Sequence, residues 1–182
     1  SGTIGGNLCT ASPAGDSIPC LMTLNAEIEL ASHRGARRLP LTEFLTGPRQ
    51  TVCAPDELVT AVYVPSDAEM GVGGFEKLGA RRYLVISIAM TAARLSIADG
   101  RIGDAAISVG ACAPVAVRLT ELEAGLRGMA YDMAGDFIRD SRSDIMAALS
   151  PIDDVRGTAG YRRDAAAEIV ARLVERLCGE FG

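Results

Sequence analysis

The stretch YLVISIAMTAARLSIADGRIGDAAISVGACAP, residues 83–114, constrains the fold more than any other part of the chain. Two long apolar runs are joined there by a short polar segment of aspartate and glycine, ADGRIGD, which reads as a hairpin turn. The runs must then be antiparallel neighbours. With the preceding GFEKLG segment, strands are expected over 74–79, 86–97 and 101–111. The remainder reads as three helices: VRLTELEAGLRG, stopped by a glycine; YDMAGDFIRDSRSDIMAAL, ended before Pro151; and AGYRRDAAAEIVARLVERLCGEF, the longest amphipathic stretch. Three strands followed by three helices make an α+β unit with its helices packed on one face of an antiparallel sheet.

The first third alternates more quickly. In DSIPCLMTLNA, Asp16 or Ser17 can cap a short helix with Pro19 in its first turn. AEIELAS alternates as a strand, HRGARRLPL turns into a second, TEFLTGP gives one helical turn, and PDELVTAVYVP alternates again up to Pro65. The polar, glycine-rich SDAEMGVGG reads as a linker. The expected division is therefore 1–66, a linker over 67–73, and 74–182, the last folding on its own.

Composition narrows the chemistry. Eighteen basic and 23 acidic residues give a net charge of −5, without the basic run that tracks a nucleic acid backbone. No apolar stretch approaches the ~20 residues of a membrane span and no signal-peptide pattern opens the chain, so a cytoplasmic protein is expected. Five cysteines lie far apart with no C-x-x-C pair, and read as reduced, mostly buried thiols. The one histidine, His33, sits in a polar turn. A nucleophilic hydrolase has little to build with, which points to chemistry supplied by a bound cofactor.

The segment TIGGNLCTASPAGD, residues 3–16, is built of small side chains and hydrogen-bond donors. A Gly5-Gly6-Asn7 turn can bring successive backbone amides to an anion. A carboxylate at Asp16 conflicts with phosphate, unless it reaches a ribose or ribityl hydroxyl or only caps the following helix.

TIGGNLCTASPAGDSIPCLMTLNAEIEL resembles the flavin-binding subunit of the molybdenum hydroxylases, the family of xanthine dehydrogenase and carbon monoxide dehydrogenase. The resemblance continues through PLTEFLTGPRQTVCAPDELVTAVYVP, through GFEKLGARRYLVISIAMTAARL and into IDDVRGTAGYRRDAAAEIVARLVERL, so it covers essentially all 182 residues. It implies an α+β fold: part of a flavin domain of the vanillyl-alcohol-oxidase type, followed by the three-stranded sheet and three-helix bundle. The implied cofactor is flavin adenine dinucleotide (FAD). Thr3, Ile4, Gly5, Gly6, Asn7, Thr10 and Ser12 would lie along it, Asp16 would hydrogen-bond to it, Val59 would pack beside the ring, and Lys77 would reach its polar edge.

The implied function is electron transfer from iron–sulphur clusters through FAD to NAD or another acceptor, with molybdenum-pterin and iron–sulphur centres on partner subunits. The chain would be an oxidoreductase component, inactive alone. In the family a second glycine-rich loop precedes T-I-G-G-N, so the opening motif is expected to be half a site, completed by an upstream segment. A fragment serving as an assembly scaffold without flavin, and a nucleotide-binding module without redox function, are the alternatives. One departure stands out: where many relatives carry an acidic residue after the arginine of F-x-K-x-x-x-R, this chain has Leu84-Val85-Ile86-Ser87, which puts polar control of access to the flavin in doubt. The Asp153-Asp154-Arg156 segment reads as a turn and helix cap, not a catalytic site.

Overall fold

A computed structural model describes residues 2–82 and 84–181. The chain opens with helix α1 (Ile4–Thr10), followed by α2 (Ser17–Thr23), the strands β1 (Glu27–Ser32) and β2 (Gly35–Pro40), one helical turn α3 (Leu41–Phe44), the short strands β3 (Leu45–Gly47) and β4 (Gln50–Thr51), and β5 (Leu58–Tyr63). Strands β2, β1 and β5 form an antiparallel sheet in that order. Ile28 and Leu30 of β1 turn inward onto Leu8 of α1, Met22 of α2 and Phe44 of α3, all buried in one apolar cluster. His33 and Arg34 make the tight turn between β1 and β2, with the His33 ring largely exposed and its Nδ1 3.6 Å from Asp56.

The second sheet has the order β6 (Val72–Leu78), β7 (Ala89–Ala98), β8 (Arg101–Gly110), β9 (Val117–Arg118), antiparallel throughout. The expected hairpin is present: Asp99 and Gly100, both with positive φ (51° and 73°), turn β7 into β8, as a two-residue turn between right-twisted strands requires. Four helices follow, α4 (Thr120–Leu126), α5 (Ala134–Asp140), α6 (Arg142–Ala147) and α7 (Ala159–Gly179). Thr158 caps α7 by accepting from the Tyr161 amide, and a stripe including Ala166, Val170, Leu173, Val174 and Leu177 buries its inner face on the sheet.

The structure corrects several expectations. The sheet gains a short fourth strand, because Val117 and Arg118 pair with Val109 and Ser108. The expected middle helix is broken at Ser141, which ends α5 and starts α6 within a serine- and aspartate-rich run that favours caps over helix interiors. β7 begins at Ala89, not 86: the ladder to β6 opens with the pair Leu78–Ala89, and residues 84–88 lie outside it, with Leu84 at a φ of 50°. Segment 67–73 holds a 3-10 turn (Ser66–Glu69) and the first residues of β6. Gly71 and the neighbouring Gly74 serve close packing: a Cβ on Gly71 would run into the Leu95 carbonyl oxygen, and one on Gly74 would lie 2.7 Å from Leu173 of α7.

The helices that follow the sheet pack on one face of it, as expected, and α2 covers the other. Residues of the pairs Ala93–Ile107 and Leu95–Ala105 face α7 within the larger apolar core. The alternate pairs, Met90–Gly110, Ala92–Ser108 and Arg94–Ala106, face α2. Ser108 Oγ donates to Met22 Sδ at 3.6 Å, and a Cβ on Gly110 would lie 2.8 Å from the Pro19 ring. Small residues in this row let α2 approach closely. The second sheet is thus covered on both sides, which is why β7 is buried on both faces from Ala89 to Leu95. Of the cysteines, Cys112 and Cys178 are buried, Cys20 and Cys53 are half-buried, and Cys9 is exposed. Burial pushes the Cys112 thiol up to about 11.

Candidate functional site

The opening motif is a helix where a loop was expected. Thr3 Oγ1 accepts from the Gly6 amide at 3.0 Å as an N-cap, the Asn7 amide makes the first backbone turn to Thr3 O at 3.0 Å, and Thr10 Oγ1 donates to Gly6 O at 2.8 Å. The amides of Ile4 and Gly5 precede that first turn and have no acceptor within the helix. A Cβ built on Gly5 would meet nothing within 4 Å, so the backbone here stands open to an approaching group. The arrangement fits a ligand held by backbone donors, and the glycines serve that approach without a left-handed turn.

Asn7 carries the motif to the next helix, its Oδ1 accepting from Ser17 Oγ at 2.6 Å. Gly15 is needed at this join: a Cβ there would press at 3.1 Å on Asn7 Oδ1 and at 3.2 Å on the Ser12 carbonyl. Ser12 Oγ accepts from the Ala14 amide at 3.3 Å. Thr3, Ile4, Gly5, Gly6, Asn7, Thr10 and Ser12 therefore belong to one continuous surface strip, tied to the start of α2.

Asp16 stands where a helix cap would stand, yet its side chain makes no capping bond. Its carboxylate turns instead to the second sheet. Lys77 Nζ of β6 donates to Oδ2 and Ser87 Oγ donates to Oδ1, both at 2.7 Å. Lys77 also donates to the Val85 carbonyl at 3.1 Å. Two of the expected residues, 61 positions apart, are thus brought into one ion pair. Val59 lies elsewhere, half-buried on β5 opposite Leu30 and packed against the cluster that holds Leu8 of α1.

Sequence reasoning passed over Ser87, whose side chain is buried (1% exposed). The residues 84–87 noted for lacking an acid contribute a hydroxyl and a carbonyl instead. Ser12 and Ser87 also line a cavity of about 360 Å³ with Pro13, Ile86, Pro151 and Ile152, between the loop after α1 and the turn before α7. At its far side Asp154 is held below the usual carboxylate range by the buried Arg162 guanidinium and by the Arg156 amide. Asp154 and Gly157 close a tight turn through reciprocal backbone bonds before α7, so this charged segment is the turn it was expected to be.

Two further arginines were not singled out from sequence. Arg94 of β7, 4% exposed, donates to the Thr23 carbonyl at 3.1 Å, to Met70 O at 3.2 Å and to Asp104 at 2.7 Å. Arg118 of β9 donates to Met22 O at 2.7 Å while paired with the buried Glu123. Between them they cap the last carbonyls of α2, whose first residues adjoin the Asp16 cluster.

Residues 1–67 match the family described as the FAD binding domain in molybdopterin dehydrogenase, and residues 75–177 match the CO dehydrogenase flavoprotein C-terminal domain. The chain is similar to the nicotine 6-hydroxylase medium subunit of Paenarthrobacter nicotinovorans, 33% identical over 174 residues that cover 95% of this chain and 59% of that one. It is 30% identical to the carbon monoxide dehydrogenase medium chain of Afipia carboxidovorans, over 96% of this chain and 60% of the relative. Among solved structures, a reconstituted CO dehydrogenase from Oligotropha carboxidovorans superposes with a TM-score of 0.88 at 30% identity, covering 98% of this chain and 61% of that one. The chain spans about three fifths of the length of these relatives.

Proposed function

This chain belongs to the FAD-binding medium subunits of the molybdenum hydroxylases, and from that membership we propose that it carries electrons from iron–sulphur clusters through FAD to NAD or another acceptor. Its partners in this reading are a molybdenum-pterin large subunit and an iron–sulphur small subunit in a cytoplasmic complex, with the FAD site completed by the part of the medium subunit that the relatives have beyond the matched region. The observation that carries the reading is the joining of the open first turn of α1 to the Asp16–Lys77 pair.

Bound FAD supplies a carrier that accepts and releases electrons reversibly. The residues of this chain position it. The Ile4 and Gly5 amides offer donors to an anionic group, and Thr3 and Thr10 brace the helix that presents them. Lys77 retains a third N–H beyond its bonds to Asp16 and Val85, and each Asp16 oxygen retains a second lone pair. A donor and an acceptor thus stand side by side for the polar edge of a ring, and the ammonium favours electron density on that edge.

The test is Gly5→Val in the assembled complex. Because a Cβ at Gly5 meets no protein atom, the variant is expected to fold, and the added side chain obstructs only a ligand on the open amides. Flavin retention should fall at least about tenfold, or roughly 1.4 kcal/mol, as read from flavin absorbance of the purified complex. Wild-type flavin content in a folded Gly5→Val complex would overturn the assignment.

A further inference from the structure

We propose that Ser87 is a positioning residue for the Asp16 carboxylate, setting the plane in which it faces the cofactor; the inference rests on the flavin reading above. An aspartate before a helix can cap it, but α2 offers Asp16 no free amide, because Ile18 N–H donates to Gly15 O at 3.1 Å and the next residue is Pro19. With helical φ −62° and ψ −28°, Asp16 accordingly makes no capping bond, and its carboxylate is held by other partners. Its side chain is 46% exposed, so packing does not fix it. What fixes it is one bond to each oxygen: Lys77 Nζ on Oδ2 and Ser87 Oγ on Oδ1.

Each bond alone leaves the carboxylate plane free to rotate. A single Lys77 contact leaves Oδ1 free to turn toward solvent. The second contact sets the plane, and it comes from the better anchored partner. Ser87 is 1% exposed and is followed by Ile88, whose amide donates to Leu78 O at 2.8 Å next to the β6–β7 ladder. Lys77 is itself steadied by the Val85 carbonyl two residues before Ser87. The segment 85–87 therefore holds both members of the ion pair from one side. A hydroxyl suits this task because it donates to a carboxylate without adding charge beside the ring.

The experiment is a double-mutant cycle in the assembled, FAD-loaded complex, using Ser87→Ala, Ser87→Thr, Asp16→Asn and the Ser87→Ala/Asp16→Asn pair. FAD affinity and the flavin midpoint potential are the readouts, with thermal melting reporting the fold separately. Ser87→Ala should weaken FAD binding about 3- to 10-fold, as loss of one hydrogen bond to a charged group implies, and should move the potential in the same direction as Asp16→Asn. Ser87→Thr, which keeps the hydroxyl, should restore both. In the Asp16→Asn background, whose uncharged amide oxygen is the weaker acceptor, the Ser87→Ala effect should shrink. An Ser87→Ala effect that persists undiminished in that background overturns the inference, as does a wild-type Ser87→Ala complex beside an impaired Asp16→Asn one. If Asp16→Asn leaves FAD affinity and potential unchanged, the flavin role of Asp16 falls first and the inference with it.

Discussion

Glu57 shows how far a single side chain can depart from its ordinary chemistry at the surface of this protein. Its carboxylate takes a two-point fork from Arg37, at 2.7 and 2.9 Å, and the Ala54 amide at 2.9 Å. These bonds lower its pKa from 4.5 to about 2. A carboxylate whose folded value is depressed adds stability that is fully present above its unfolded value and disappears as pH falls through the folded one. The melting-temperature gap between wild type and Glu57→Gln should accordingly be constant near neutrality and close between about pH 4.5 and 2. Calorimetry across that range checks it, and a gap independent of pH would contradict it. Asp154→Asn should lower the melting temperature further than Glu57→Gln, because it strips the charge partner from Arg162, which is 3% exposed and cannot reach water. Equal melting points for the two variants would count against that role. Residues of the opening strip were legible because they are consecutive in sequence. Ser87 was not, since its partner Asp16 lies 71 positions away and a serine in an apolar run carries no sign of what it faces.

At the level of elements, the β7–β8 hairpin was readable because its turn chemistry and the two apolar runs agree. Helix α1 was not, because glycines and threonines have low helix propensity and read as a loop. The capping bond from Thr3 and the packing of Leu8 into the core offset that preference. The small residues on one face of β7 and β8 were equally silent about their partner, since alanine, serine and glycine signal close approach without naming what approaches. That approach has a measurable consequence at Gly110. A Cβ there would lie 2.5 Å from Met90 Cε and 2.8 Å from the Pro19 ring. The methionine can move aside, but the proline at the start of α2 cannot easily do so. Gly110→Ala should destabilise the protein by about 1–3 kcal/mol, the usual range for overpacking, measured by urea unfolding. An unchanged midpoint would mean that α2 does not press on the sheet.

The whole molecule is organised around α2, which belongs by sequence to the first sheet and by packing to both. It supplies Ile18 and Met22 to the smaller core and covers the α2-facing row of β7 and β8. Residues 74–182 remain a proposed unit, but without α2 they would expose Met90, Ala92 and Ala106 and leave the buried guanidinium of Arg94 without the Thr23 carbonyl. Expressed alone, this unit is expected to lack sharp near-ultraviolet dichroism and to unfold without a cooperative transition. Adding 1–66 as a separate chain should restore both. A cooperative melt of 74–182 by itself would show that the α2 layer is dispensable.

The caps that Arg94 and Arg118 place on α2 also bear on how such subunits can be recombined. Both arginines bind main-chain carbonyls, those of Thr23 and Met22, and a carbonyl is the same whatever side chain stands beside it. A chimera that exchanges the first 66 residues between relatives can therefore vary the side chains of this last turn without loosening the two caps, although Met22 is separately fixed by its place in the core and its contact with Ser108. The chimera cannot tolerate a helix one residue longer or shorter, because that would carry the carbonyls out from under the two guanidinium groups. At these two caps, length and not identity is what the two halves of the molecule have to agree on.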